Sequence, residues 1–305
     1  MPSFMSSAKP AMEVSGVFSS WETLAFFSGI GSPEKAMDKL KKEKYIDDYE
    51  LMFFSEIDKN AVKSYCAIHN VDEKLNLGDI TKIKGKDLPY CDLWVGGFPC
   101  QDISCAGKMK GFDFDSSTRS SLGWEMIRLL NEVSEKPKYV IFENVSSITS
   151  KKFEDTLNLF KIDLISLGYN LYDKILDATD YGIPQSRKRY FLIAILNQNK
   201  KFEFPNKLDR KVILKNLLES NVESKYYLSD DNFEIDSDGK ILLTNIKKPN
   251  YYFEVDLKKY GEGGRCGIDY STKFKQSARI YSPYGNAPTL MASNTDNNCK
   301  IVVEE

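Results

Sequence analysis

The sequence predicts an α/β fold: a doubly wound, mainly parallel sheet with a smaller second domain behind it. Three observations carry that prediction. Strand-like apolar runs alternate with helical patterns from about Trp21 to Leu196, as chained βαβ units require. A glycine loop, Phe27-Ser28-Gly29-Ile30-Gly31, separates the first run from the first helical pattern, where a backbone can approach a ligand closely. Beyond Asn197 the alternation gives way to Lys-rich, acidic, then Tyr- and Gly-rich segments, which suits a smaller and more irregular unit.

The elements follow in order. Residues 1–20 are rich in Ser, Met and Ala with no period and read as a disordered leader. A strand is expected over Thr23–Phe27 and a helix over Ser32–Lys44, with Ser32 as N-cap, Pro33 in the first turn and Glu34 complementing the helix dipole. Next come a strand at Leu51–Ser55, a helix at Asp58–His69, a strand at Leu93–Gly96 and a helix at Ser120–Val133. A strand at Tyr139–Phe142, a helix at Lys152–Leu167 and strands at Asn170–Leu176 and Tyr190–Leu196 complete the larger domain, placed at 21–205. In the smaller domain, 206–305, short strands are expected at Ile241–Thr244, Tyr251–Val255 and Arg279–Ser282.

Composition narrows the function classes. Forty-two Lys and Arg against 44 Asp and Glu give a net charge of −2, so a nucleic-acid partner would have to be held by a local patch. One exists between Pro184 and Lys215, where nine basic residues face only Glu203 and Asp209. The six cysteines, at 66, 91, 100, 105, 266 and 299, show neither a disulfide framework nor a Cys-x-x-Cys metal pair, which favours a reducing, cytoplasmic setting and no metal. The single histidine, His69, reads as structural. No stretch approaches the ~20 apolar residues of a membrane span.

Chemistry gathers where apolar runs end. The run Cys91–Val95 passes into Gly96-Gly97-Phe98-Pro99-Cys100-Gln101, which presents a thiol at the carboxyl end of a strand, where ligands collect in open α/β sheets. Alone, Cys100 reads as one more small buried hydrophobe. It is not alone, because Tyr139–Phe142 ends in Glu143-Asn144-Val145 and Pro184-Gln185-Ser186-Arg187-Lys188-Arg189 precedes the strand-like run from Tyr190. Thiol, carboxyl and guanidinium then meet at one crevice. Glu56 follows the second strand and Asp79 lies in Gly78-Asp79-Ile80, both acceptors suited to hydroxyl or amino groups.

These blocks, in this order and spacing, resemble the cytosine-C5 DNA methyltransferases. The resemblance runs from about Thr23 to Ala194 and resumes at Arg279 to Ala292. It implies the S-adenosylmethionine-dependent methyltransferase fold with a target-recognition domain, double-stranded DNA as substrate, and S-adenosyl-L-methionine as cofactor. By the same resemblance Cys100 is the nucleophile that adds to C6 of a flipped cytosine, Glu143 the group at N3, and Arg189 the guanidinium at O2, with Arg187 beside the cysteine segment. Phe27, Gly29, Gly31, Glu56, Ile57, Asp79, Ile80 and Leu122 are implied to hold the cofactor, with Glu56 on the ribose and Asp79 on the adenine amino group. Pro99, Gln101, Ser104, Arg119, Asn144, Gln185 and Thr289 are implied to contact the DNA. The segment Gln101–Leu122, with its glycines, aspartates and serines, corresponds to a loop that closes over substrate.

The pattern departs from the family after Leu290: an arginine-rich helix-forming block and a Gly-Asn-Ser-type helix are not found in the 305 residues. The expectation is therefore the catalytic subunit of a split enzyme, completed by a second polypeptide. The alternatives are a truncated product, a non-catalytic binding remnant, and a methyltransferase acting on RNA cytosine.

Overall fold

The computed structural model describes residues 20–99, 119–197, 201–209, 212–217, 233–235, 241–243, 280–281 and 300–301. Strand β1 (Trp21–Phe26) is an interior strand of a six-stranded sheet with β2 (Tyr49–Ser55), β3 (Leu93–Gly96), β4 (Tyr139–Val145), β5 (Tyr169–Asp177) and β6 (Lys188–Leu196). The order is β2-β1-β3-β4-β6-β5. The β1–β2, β1–β3 and β3–β4 pairs are parallel, which bears out the mainly parallel sheet, whereas β4 and β6 are antiparallel.

The connections explain that topology. Helices α1 (Ser32–Lys42), α2 (Lys59–His69), α3 (Gly123–Glu132) and α4 (Glu154–Ser166) return the chain between strands. Leu24, Phe26, Trp94, Val140, Phe142 and Leu192 bury one sheet face against α3 and α4, where Phe160 meets the rings of Phe98, Trp124 and Phe142 at 5.1–5.9 Å. Ala25, Phe54, Val62 and Tyr65 form a second cluster in which the Phe54 and Tyr65 rings stack at 4.1 Å. Asp58 caps α2 by accepting from the Asn60 and Ala61 amides, a contact worth about 1 kcal/mol.

One feature of α1 corrects the sequence reading. Its N-cap is Gly31 in a left-handed conformation, with no side-chain cap, and Ser32 is already helical. Glu34 does lie in the first turn, as expected, but it is buried there, only 3% exposed. Strand β4 also runs three residues past Phe142, so Glu143, Asn144 and Val145 are strand residues with alternating faces.

The chain divides into two units, 1–176 with 189–206, and 177–188 with 207–305. The described parts of the second unit are small: a 3-10 turn at Leu214–Leu217, an antiparallel pair β7 (Phe233–Ile235) and β8 (Ile241–Leu243), and a parallel pair β9 (Ile280–Tyr281) and β10 (Lys300–Ile301). Strand expectations near Ile241 and Arg279 fall on β8 and β9, while Tyr251–Val255 and the leader 1–19 lie outside the described residues. No helix among the described residues is long and apolar enough to cross a membrane.

Candidate active site

The loop after β1 is held in a conformation that few residues adopt. Phe27, Gly29 and Gly31 have φ of 52°, 56° and 81°, and a bulky side chain in the left-handed region, as at Phe27, marks strain held by its surroundings. Gly31 must be glycine for a second reason, since a Cβ there would overlap the His69 ring. His69 Nε2 sits 3.0 Å from the Ile30 carbonyl and so donates to it, and the ring packs on Tyr65 at 4.7 Å. His69 is thus the strut beneath the loop, in keeping with a structural histidine.

Glu56 ties this loop to the end of β2. Its Oε2 accepts from the Gly29 amide at 2.9 Å and its Oε1 from the Ile57 and Asp58 amides at 2.8 and 2.9 Å. Asn76 binds the same turn, as Oδ1 accepts from the Glu56 amide and Nδ2 donates to the Glu56 carbonyl, both at 3.0 Å. Asp79 caps the next short turn by accepting from the Thr81 hydroxyl and amide, and these bonds hold its carboxyl below the usual carboxylate range.

The acceptors fit an adenosine-containing cofactor. Space in front of Gly29 and Gly78 is open, Ser28 Oγ is buried without a partner, and Ile30 and Ile57, next in the chain to the bonded Gly29 and Glu56, are 58% and 71% exposed. Charged acceptors next to exposed apolar side chains suit ribose hydroxyls, an exocyclic amine and a ring face. Ile80 is buried in the core below, and Phe27 and Leu122 pack partly buried against that core.

A second cluster lies at the carboxyl ends of β3 and β4. In the antiparallel register Val145 opposes Arg189 and Glu143 opposes Phe191, so Arg189 and Glu143 project from one face two positions apart. Arg189 Nε reaches Glu143 Oε1 at 2.9 Å, and both side chains are largely buried. A Cβ on Gly97 would come within 3.2 Å of Glu143 Oε2, so that glycine leaves the carboxylate unobstructed. Gly96 is required by packing, because a side chain there would overlap Met126.

Asn144 projects to the other face of β4. It is 2% exposed; Nδ2 donates to the Phe98 carbonyl at 3.1 Å and Oδ1 accepts from the Val145 amide at 2.8 Å. The Phe98 ring is buried against Phe160, so both backbone and side chain of Phe98 are anchored directly ahead of Pro99. The expectation for Asn144 was a DNA contact; its side chain instead holds the turn that leads to Cys100.

Cys100, Gln101, Ser104 and Thr289 lie outside the described residues. Arg119 starts a 3-10 turn, Arg119–Leu122, ahead of α3. Gln185 and Arg187 belong to the second unit, where the Arg187 amide donates to Asp177 Oδ1 at 3.3 Å. The reading from sequence passed over Asn76 and the burial of Glu34. Asn-x-Gly, a turn signal at 76–78, was the visible trace of the first.

Comparison with known proteins identifies the family. The model of the family described as C-5 cytosine-specific DNA methylase matches residues 21–300. The orphan methyltransferase M.Rho11sI of Bacillus phage rho11s is 36% identical over 304 residues, which cover 89% of this chain and 57% of that protein. The type II methyltransferase M2.ScrFI of Lactococcus lactis subsp. cremoris is 46% identical over 187 residues, or 61% of this chain and 51% of that protein. The chain spans between half and two thirds of the length of such relatives. Among solved structures, the Entamoeba histolytica methyltransferase EhMeth superposes with a TM-score of 0.55 at 26% identity, over 69% of this chain and 63% of that one. The S. pombe Dnmt2 methyltransferase, at a TM-score of 0.51 and 24% identity over 68% and 62% of the two chains, shares the fold.

Proposed function

The chain belongs to the C-5 cytosine-specific DNA methylase family, and from that membership we propose that it transfers a methyl group from S-adenosylmethionine to C5 of cytosine in duplex DNA. The observation that carries the reading is the Arg189–Glu143 pair, set at the end of β4 beside the glycine turn that leads into Cys100. S-adenosylmethionine supplies the electrophilic methyl group. Glu56 and Asp79 would accept from its ribose and adenine, Gly29 would let the loop approach it, and Phe27, Ile57 and Ile80 would line its pocket.

The chemistry explains why thiol, carboxyl and guanidinium are needed together. C5 of cytosine is a poor nucleophile, so the Cys100 thiolate adds to C6, forming an S–C6 bond and placing the electron pair on C5. C5 would then attack the methyl carbon as its bond to sulfur breaks and S-adenosylhomocysteine leaves; a water takes the C5 proton, the C–H electron pair forms the C5=C6 double bond, and the C6–S bond breaks to release the thiolate. Glu143 stabilises the charged ring through N3 and Arg189 through O2. Because the target atom lies inside a stack, the base is extruded at a cost of a few kcal/mol. Pro99, Gln101, Ser104, Arg119, Gln185, Arg187 and Thr289 are the groups proposed to recover it on the DNA, where the basic run from Pro184 to Lys215 meets phosphate.

We place the chain in a split enzyme in which a second polypeptide covers the cofactor site. What supports this is the exposure of Ile30 and Ile57 beside the loops proposed to bind adenosine. The experiment is transfer of labelled methyl from S-adenosylmethionine to mixed-sequence duplex DNA and to tRNA, with candidate partner present, followed by mapping of the modified base. Label at C5 of cytosine in DNA, lost in Cys100→Ser with cofactor affinity unchanged, is expected. Label in tRNA alone would make the substrate RNA, and a fully active Cys100→Ser would overturn the mechanism.

A further inference from the structure

We propose that Asn76 is a positioning residue for cofactor recognition, setting the distance between the two acids that grip the ribose and the adenine. The inference rests on the cofactor reading above. Its basis is three hydrogen bonds from one side chain. Oδ1 accepts from the Glu56 and Gly78 amides and Nδ2 donates to the Glu56 carbonyl, each at 3.0 Å.

A local turn accounts for only one of these bonds. The contact from Oδ1 to the Gly78 amide, two residues on, is an ordinary Asx turn. The other two cross 20 residues of sequence to the turn that ends β2. They engage the amide and the carbonyl of the same residue, so the Glu56 peptide is fixed on both sides and cannot rotate about either bond without losing one contact. On the far side of Asn76, Gly78 is held equally well: its amide by Asn76 and its carbonyl by the buried Ser55 hydroxyl at 2.7 Å. Gly78 has φ of 70°, and Asp79 follows it directly. The Asn76 backbone joins the same clamp through its parallel bridge to Phe54, with the Leu77 amide donating to the Phe54 carbonyl at 2.7 Å.

The Ser55–Gly78 and Leu77–Phe54 bonds join the end of β2 to the Gly78 turn, but neither reaches Glu56 itself. Glu56 spends Oε1 on its own turn and Oε2 on Gly29, and Asp79 on Thr81. No side chain among these bridges Glu56 to Gly78 except Asn76. A cofactor that needs one acceptor for the ribose and another for the adenine amine is read by their separation, and preorganised separation is what converts two weak acceptors into a selective site.

Calorimetric titration of the full chain with S-adenosylhomocysteine and with its 2′,3′-dideoxy analogue tests this. In Asn76→Ala the affinity for S-adenosylhomocysteine should fall about tenfold, with discrimination against the dideoxy analogue shrinking to about twofold. Asn76→Asp keeps the acceptor for both amides and loses only the donor, so it should fold and show an intermediate discrimination; it also serves if Asn76→Ala does not fold. A loss spread evenly over both ligands, leaving discrimination at the wild-type level in either variant, would mean that Asn76 supports the fold and nothing more. Wild-type affinity in Asn76→Ala would overturn the proposal alone. No binding by the wild-type chain would overturn the cofactor reading and this proposal with it.

Discussion

Arg189 and Glu143 meet across the one antiparallel pair that joins β4 to β6, with Nε of the first 2.9 Å from Oε1 of the second. A strand running the other way would place a residue at the position of Arg189 opposite Glu143 only by a different register. The antiparallel return therefore builds the site: it brings a cation from a segment 46 residues downstream onto the face that carries the carboxylate. The pairing also orients both groups before any substrate arrives, which is the preorganisation that transition-state stabilisation requires.

Glu143→Gln keeps the shape and removes the charge that the pair needs. Single-turnover methyl transfer should fall by roughly 10²–10⁴ while cofactor affinity holds, the range for loss of a general acid or base. Arg189→Lys retains the positive charge without the planar Nε–H, so it too should lose turnover despite the conserved charge. Full activity in both variants would separate this pair from the chemistry.

Asn144→Ala removes the donor that satisfies the Phe98 carbonyl in the buried turn before Cys100. Losing a buried hydrogen bond costs about 1 kcal/mol, which thermal unfolding should register as a drop of a few degrees. Because the same bond anchors Phe98 just ahead of Pro99 and the proposed nucleophile, turnover should fall further than stability alone accounts for at a temperature where the variant is folded. A thermal shift with undiminished turnover would confine Asn144 to the fold.

The frame was legible from residues because buried parallel strands are written as apolar runs of the right length. Leu93–Gly96 came out to the residue, and α2 differed by one position because Asp58 is its cap. Direction was not legible: Tyr190–Leu196 is apolar enough on both faces to run either way, and only the order of connections makes it antiparallel. The start of α1 was misread because Ser32, Pro33 and Glu34 are all favourable there, yet the loop needs a left-handed residue immediately before the helix and Gly31 supplies it. At the proposed site, the candidate reacting residue types were visible, whereas Asn76 and the inward-turned Asn144 make contacts across 20 and 46 positions that no local pattern encodes.

Glu34 makes stability depend on pH in a defined direction. Burial pushes its carboxyl above 4.5, more than a backbone amide, the Tyr65 hydroxyl and the His69 ring lower it, and Asp38 on the next turn of α1 adds to the rise. The fold therefore favours the protonated form more than the unfolded chain does. Its contribution is complete below the unfolded value of 4.5 and is lost as pH rises through the higher folded value. Glu34→Gln, which mimics the neutral acid, should raise Tm at neutral pH, and the gain should vanish as pH falls below 4.5. A gain independent of pH would mean that titration of Glu34 is not its source.

The split-enzyme reading makes a prediction about the isolated chain. Ile30 and Ile57 flank the proposed cofactor loops at 58% and 71% exposure, and apolar surface left open beside a ligand site weakens binding because water reaches the acceptors from that side. A partner that covers those side chains should tighten S-adenosylhomocysteine, and linkage then requires the cofactor to tighten the partner by the same factor. Both should raise Tm together more than either alone. Titrating cofactor into the chain with and without candidate partner measures the factor directly. A chain that alone binds cofactor tightly and methylates DNA over many turnovers would show that its own residues close the pocket, and Ile57→Ser would then be expected to weaken the cofactor in the chain by itself.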